Sequence, residues 1–119
     1  MQPPAPLSLG DGGLWTSVSD LLGWNAALLS DTLGVAGPLH RTGSLDDGRP
    51  LDYAWGVRVA VESGRLIQSH GGSWEGAAAK LVRLPDVGLS LAVLAQDGSI
   101  ERMTALASSV QDALLAGRS

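Results

Sequence analysis

Four segments with the character of β-strands follow one another between residues 53 and 96, and only short turns separate them. In the first segment, tyrosine, tryptophan and valine alternate with small or polar residues, which is the period of two of a strand with one buried face. Consecutive strands that are joined by short turns pair in antiparallel fashion. We therefore predict a four-stranded antiparallel meander whose strands are residues 53–61, 65–70, 77–84 and 89–96.

Helical patterns flank this meander on both sides. Ser17, with Asp20 three residues later, forms a capping-box pattern, and apolar residues at helical spacing continue to Ser30. Asn25 interrupts that apolar stripe. A second apolar stripe follows Ser99 and predicts a C-terminal helix. The predicted fold class is α+β, an antiparallel meander with an N-terminal helix and a C-terminal helix packed on the sheet.

The remaining segments lack a periodic pattern. Residues 1–13 are rich in proline and glycine and predict an extended lead-in, so that residues 14–119 form the single α+β domain. Residues 31–52 hold four glycines and two prolines and predict a long loop. A loop of that length in a small domain is usually functional or disordered. His40 lies within it, and we expect its side chain to be solvated.

The composition limits the partners of this chain. The net charge over 119 residues is −4 and there is no basic cluster, so we expect no nucleic acid to bind. With no cysteine and two histidines far apart in sequence, we expect no metal site and no cofactor. No apolar run reaches membrane-spanning length. Phenylalanine is absent, so the predicted large anchors of the core are Trp15, Trp24, Trp55 and Trp74.

The candidate functional stretch runs from Ser69 to Gly76 and contains three glycines. Because glycine has no side chain, a ligand or a second backbone can approach this stretch closely. His70 adds a side-chain donor beside these bare N–H groups. Such an arrangement suits a bound carboxylate or a developing oxyanion. The alternative is a wide hairpin loop that carries a surface histidine.

Three stretches of the chain resemble the motifs of one enzyme family. Residues 12–21, GGLWTSVSDL, resemble a Gly-Gly-Leu-x-Ser-Thr-x-x-Asp-Leu helix entry, and residues 53–57, YAWGV, are similar to a Tyr-Gly-Leu-Gly-Trp strand. Residues 70–76, HGGSWEG, with Leu84-Pro85 further on, resemble a His-Thr-Gly-Gly-x-x-Gly pattern that leads to a proline and a strand. The family is that of the serine β-lactamases and penicillin-binding proteins, and the resemblance is greatest to its class C β-lactamase, esterase and D-alanyl-D-alanine peptidase branch.

The resemblance implies roles for the glycine-rich stretch. His70 stands where a lysine or histidine of the family helps to bind the substrate carboxylate and polarises the proton network. The backbone N–H of Ser73 supplies half of an oxyanion hole, so His70 and Ser73 are the implied catalytic residues. Gly71, Gly72 and Trp74 then line the substrate site, with Gly71 in place of the usual hydroxyl residue. The implied substrates are small molecules or peptides, namely β-lactams, esters or D-amino-acid peptides.

The nucleophile of that family has no counterpart in this chain. Neither the Ser-x-x-Lys motif nor the Tyr-x-Asn motif, which lie upstream of the helix entry in the family, occurs here. Lys80 is the only lysine, and an alanine stands three positions before it. A dyad of Ser73 and His70 has no third group to orient it. Ser69 is a poor partner for His70, because neighbours on a strand face opposite sides.

Two functional hypotheses from different classes follow. In the first, the chain is the C-terminal segment of a serine hydrolase and is inactive by itself. In the second, it is a non-catalytic binding or interaction module that keeps part of the same fold. Residues 89–96 are apolar at nearly every position, as in a central strand, and carry no charge or proline that would protect an exposed edge. We therefore expect self-association through the edge of that strand.

Overall fold

The computed structural model describes residues 9–74, 76–96 and 99–117. In chain order its elements are α1 (Leu9–Gly12), α2 (Val18–Leu29), α3 (Ala36–Leu39), β1 (Arg58–Glu62), β2 (Arg65–Trp74), β3 (Ala77–Leu84), a 3₁₀ turn (Pro85–Val87), β4 (Leu89–Gln96) and α4 (Ile100–Ala116). The strands form one sheet in the order β1-β2-β3-β4, and every neighbouring pair is antiparallel. The predicted α+β meander is therefore confirmed, with one long helix before it and one after it.

The two long helices cover opposite faces of the sheet. Val82 of β3 pairs with Leu91 of β4, and both pack with Ala107 of α4 in the hydrophobic core. We call this side the α4 face. Successive strand residues point to opposite faces, so Arg83 lies on the other side, where it contacts Asn25 of α2. We call that side the α2 face.

The hydrophobic core lies on the α4 face and is aliphatic. Leu84 is completely buried, and the other buried members are Ile67, Val82, Leu89, Leu91 and Ala107. Burial of each leucine, isoleucine or valine side chain stabilises the fold by roughly 1.5–3 kcal/mol. The prediction of tryptophan anchors is wrong, because the four tryptophans are exposed by 44% to 85%.

The first strand is shorter than the alternation predicts. It begins at Arg58 because the chain reverses immediately before it. Gly56 has a left-handed φ of 75°, and the Ala54 N–H donates to the Val57 carbonyl at 2.8 Å across this turn. The alternating residues 53–57 therefore belong to a turn and do not form one face of a strand.

Both long helices begin at the capping residues that the sequence predicts. Ser17 Oγ accepts a hydrogen bond from the Asp20 N–H at 3.2 Å, and Ser99 Oγ accepts one from the Arg102 N–H at 3.1 Å. The short helix α1 forms where we expected extended chain, and residues 1–8 of that expected lead-in lie outside the described residues. Within the described ranges, no helix is long and apolar enough to span a membrane.

Strand β4 lies at one edge of the sheet and β1 lies at the other. Both α2 and α4 pack on β4, so this apolar strand has a helix on each face, as its composition predicts. It is nevertheless not a central strand, and no described strand pairs with its outer edge. One of its carbonyls, that of Leu91, accepts a hydrogen bond from Asn25 Nδ2 at 3.3 Å.

Candidate functional site

Residues 69–74 of the candidate stretch belong to strand β2 and not to a wide loop. β2 continues through both glycines and pairs with β3 from Gln68 to Trp74. β1 pairs only with residues 65–69 of β2. Residues 70–74 therefore have a strand neighbour on one side only within the described part of the chain. Alternate residues of this segment direct their N–H and C=O groups toward the open side.

Alternation along β2 separates the predicted site residues. His70, Gly72 and Trp74 lie on the α2 face, while Gly71 and Ser73 lie on the α4 face. The pairing with β3 is continuous, with no bulge that would turn His70 and Ser73 to the same side. The structure therefore does not bring the side chains of Ser73 and His70 together as a dyad. The role predicted for Ser73 involves its backbone N–H, which does not depend on the direction of the side chain.

Gly71 packs under the C-terminal helix. A Cβ atom at this position would stand 2.9 Å from Cδ1 of Ile100, the first residue of α4. A side chain here would require the end of the Ile100 side chain to shift, which a flexible side chain can do at small cost. Gly71 thus shapes the contact between the sheet and α4 and lies on the face away from His70.

A cavity of about 210 Å³ lies beside His70 on the α2 face. The exposed His70 is the only one of the five predicted site residues that lines this cavity. The ring of His70 also lies near that of Tyr53, with the two centroids 6.2 Å apart and the planes tilted by 55°. The remaining walls are mostly apolar and come from Trp24, Leu28, Leu39, Trp55, Val57 and Leu81.

A buried polar cluster around Arg83 forms another part of the cavity wall. Arg83 is 4% exposed and directs its guanidinium at three uncharged side chains. Nε donates to Gln68 Oε1 at 3.1 Å, and Nη1 donates to Asn25 Oδ1 at 2.9 Å. Nη2 lies 3.1 Å from Nε2 of His40. Since Asn25 also donates to the Leu91 carbonyl, the cluster joins α2, the long loop and three strands.

The electrostatics of the cluster are those of an unpaired cation. No carboxylate of the described residues forms an ion pair with Arg83, and burial lowers the pKa of this guanidinium. Burial is the main cause that lowers the pKa of His40, and repulsion from Arg83 lowers it further. A hydrogen bond with the backbone of Ala36 and the charge of Asp31 partly offset this shift. A guanidinium only donates, so His40 Nε2 is the acceptor and the neutral ring holds its proton on Nδ1. The expectation of a solvated side chain at His40 is only partly met, because the ring is half-buried and has a partner in Arg83.

Two members of this cluster stand out in the sequence because they break an apolar pattern. Asn25 interrupts the stripe of α2, and Arg83 is the one charged residue between Leu81 and Leu84. Buried polar groups need hydrogen-bond partners, so each break is a sign of a specific contact. Gln68 carries no such sign, because polar residues are common on strands.

Comparison with known proteins shows a distant relationship. No protein-family model matches the chain. D-aminopeptidases of Brucella ovis, Brucella canis and Brucella suis are each 26% identical to it over 106 residues, which cover 82% of this chain and 20% of the relative. The chain thus spans about a fifth of the length of these relatives. It is distantly homologous to D-aminopeptidase, a β-lactamase-related hydrolase.

Proposed function

We propose that this chain is the C-terminal segment of a serine β-lactamase-like hydrolase that acts on a β-lactam, an ester or a D-amino-acid peptide. It supplies residues 70–74 to the active site and lacks the nucleophile, so it is inactive by itself. The observation that carries the proposal is the open side of this segment, where exposed His70 stands beside backbone groups with no described strand partner. The distant homology to D-aminopeptidase supports the same class of enzyme.

The open segment offers two kinds of hydrogen-bond donor in one place. The imidazole of His70 projects on the α2 face, and alternate backbone N–H groups project from the strand edge. Fixed donors stabilise negative charge that develops on a carbonyl oxygen, and one such donor contributes on the order of 3 kcal/mol to the transition state. We assign the Ser73 N–H to half of an oxyanion hole and His70 to the substrate carboxylate and the proton network. The nucleophile and its base then come from outside this chain.

The apolar surface around His70 supports the proposal that another part of a larger protein covers the α2 face. Trp24 and Trp55, exposed by 44% and 77%, line the cavity beside His70. Trp74, exposed by 49%, lies on the same face of β2. Large apolar side chains that are exposed on one face are expected where another part of a protein packs. The part of the hydrolase that carries the nucleophile is the occupant that the proposal requires.

The nucleotide sequence upstream of the Met1 codon provides the first test. An in-frame Ser-x-x-Lys motif there supports the hydrolase proposal. A ribosome-binding site directly before Met1, with no such motif upstream, would favour a non-catalytic binding module with the same fold.

The protein encoded by the full reading frame provides the functional test. His70→Ala should lower kcat/KM toward a chromogenic ester or cephalosporin by about 10- to 1,000-fold, the range expected for one positioned polar group. Val61→Ala, at a position of β1 that is 70% exposed, is the matched control and should leave the rate unchanged. The isolated 119-residue chain should show neither turnover nor a burst. Wild-type rates in the His70 variant, or a burst from the isolated chain that Ser73→Ala abolishes, would overturn the proposal.

A further inference from the structure

The guanidinium of Arg83 is buried without a counter-ion among the described residues. Its side-chain partners, Gln68, Asn25 and His40, are all uncharged. The ion pairs within the described ranges join other arginines to carboxylates. A buried charge is costly unless an opposite charge pairs with it. An anion that reached Arg83 would therefore bind with a favourable electrostatic term.

Two N–H groups of Arg83 remain available for such an anion. A guanidinium has five N–H donors in one plane. Three of them are directed at Gln68, Asn25 and His40, one each from Nε, Nη1 and Nη2. One N–H on each terminal nitrogen thus has no acceptor in the described part of the chain. Each of these two N–H groups can donate to an oxygen of a carboxylate.

The adjoining cavity sets the size and character of the anion. Its volume of about 210 Å³ is small beside the roughly 300–1,000 Å³ of pockets that hold drug-sized ligands. The basic side chains in its wall are His40, His70 and Arg83. The aliphatic side chains in its wall include Leu28, Val57 and Leu81. This combination fits a carboxylate with a short apolar tail.

We propose that the cavity binds a short aliphatic monocarboxylate, with Arg83 holding the carboxylate group and the aliphatic wall packing against the tail. Free acids such as propionate and the C-terminal end of a peptide share this chemistry. The site consists of residues of this chain alone and does not rest on the proposed hydrolase function.

The pKa of His40 reports whether a carboxylate occupies the cavity. Its Nε2 lies 3.1 Å from Nη2 of Arg83, and burial together with the charge of Arg83 lowers the pKa of His40. The other titratable groups that face it are His70 across the cavity and Asp31, whose charge raises the pKa of His40. A bound carboxylate would offset the charge of Arg83 and raise the pKa of His40. By linkage, the carboxylate then binds more tightly as the pH falls.

An NMR titration of the full chain with sodium propionate at constant ionic strength tests the site. The methyl signals of Leu28, Val57 and Leu81 should shift and saturate, with a Kd on the order of millimolar. Propionamide, which has the same shape without the charge, should produce no saturable shift. The pKa of His40, read from its ring protons, should rise when propionate is present. A second titration with N-acetylglycylalanine distinguishes a peptide end from a free acid.

Two arginine variants locate the binding group. Arg83→Gln should abolish the saturable shifts, whereas Arg58→Gln, at an exposed arginine of β1, should retain them. If the Arg83 variant fails to fold, Leu81→Phe fills the cavity without altering the charge and should also abolish binding. The proposal is overturned if neither carboxylate saturates, if propionamide acts like propionate, or if binding survives Arg83→Gln or Leu81→Phe.

Discussion

Replacing Asn25 by alanine removes the side chain that connects α2 to two strands of the sheet. Asn25 is completely buried, accepts from Arg83 Nη1 at 2.9 Å and donates to the Leu91 carbonyl at 3.3 Å. Little bulk water reaches the two atoms that bond to Asn25, because Arg83 is 4% exposed and Leu91 is 5% exposed. Alanine therefore leaves a buried cation and a buried carbonyl each without one hydrogen bond.

The expected loss of unfolding free energy is the sum of these two contacts. Loss of the charge-assisted bond to Arg83 costs about 1.5–3 kcal/mol, and a stranded carbonyl costs about 1–3 kcal/mol. The bond to Leu91 is long, so the lower end of the second range applies. The better helix propensity of alanine offsets about 0.5 kcal/mol. We expect a net loss of about 2–3.5 kcal/mol, against the 5–15 kcal/mol that is typical of small domains.

Urea unfolding followed by far-ultraviolet circular dichroism measures this loss as a lower midpoint at an unchanged m-value. Ser19→Ala, in the exposed first turn of α2, is the control and should change the free energy by less than about 0.5 kcal/mol. Asn25→Asp keeps an acceptor for Arg83 and loses the donor to Leu91, so it should cost less than Asn25→Ala. A loss below about 1 kcal/mol for Asn25→Ala, or a greater loss for Asn25→Asp, would refute the reasoning.

Two further predictions concern pH and assembly. The pKa of His40 is lower in the folded chain than the ordinary histidine pKa of 6.5. As the pH falls below 6.5, the unfolded chain therefore takes up a proton more readily than the folded chain, and the folded chain loses stability. The urea midpoint of unfolding should therefore fall between pH 7 and pH 5. His40→Gln should flatten this decline, and the control variant His70→Gln should not. A decline that is unchanged in His40→Gln would contradict the prediction. We also propose that the chain self-associates through the outer edge of β4, so sedimentation at micromolar concentration should show a dimer or larger species. Leu94→Lys, at a position of β4 that is 40% exposed, should shift the association equilibrium toward the monomer. A monomeric wild-type chain with fast amide exchange throughout β4 would count against the proposal.

The sequence by itself determines the type and order of the main regular elements. Short turns between alternating or apolar runs leave antiparallel pairing as the simplest arrangement, and the sheet has that order. The caps at Ser17 and Ser99 act over three residues, so they are visible without any knowledge of the fold. The likeness of residues 70–76 to a known motif likewise depends only on adjacent residues. These features share one property, which is that the interacting groups are close in the chain.

The tertiary structure decides which side chains meet and which stay apart. Arg83 contacts a histidine 43 positions away and Asn25 contacts a carbonyl 66 positions away, and no local pattern encodes either approach. The open side of residues 70–74 exists because β1 stops pairing before His70, which depends on the turn at Gly56. Proximity of this kind arises only when α2 and the loop pack on the sheet. The sequence therefore identifies His70 as a candidate, whereas the buried cation beside it becomes evident only once the chain is folded.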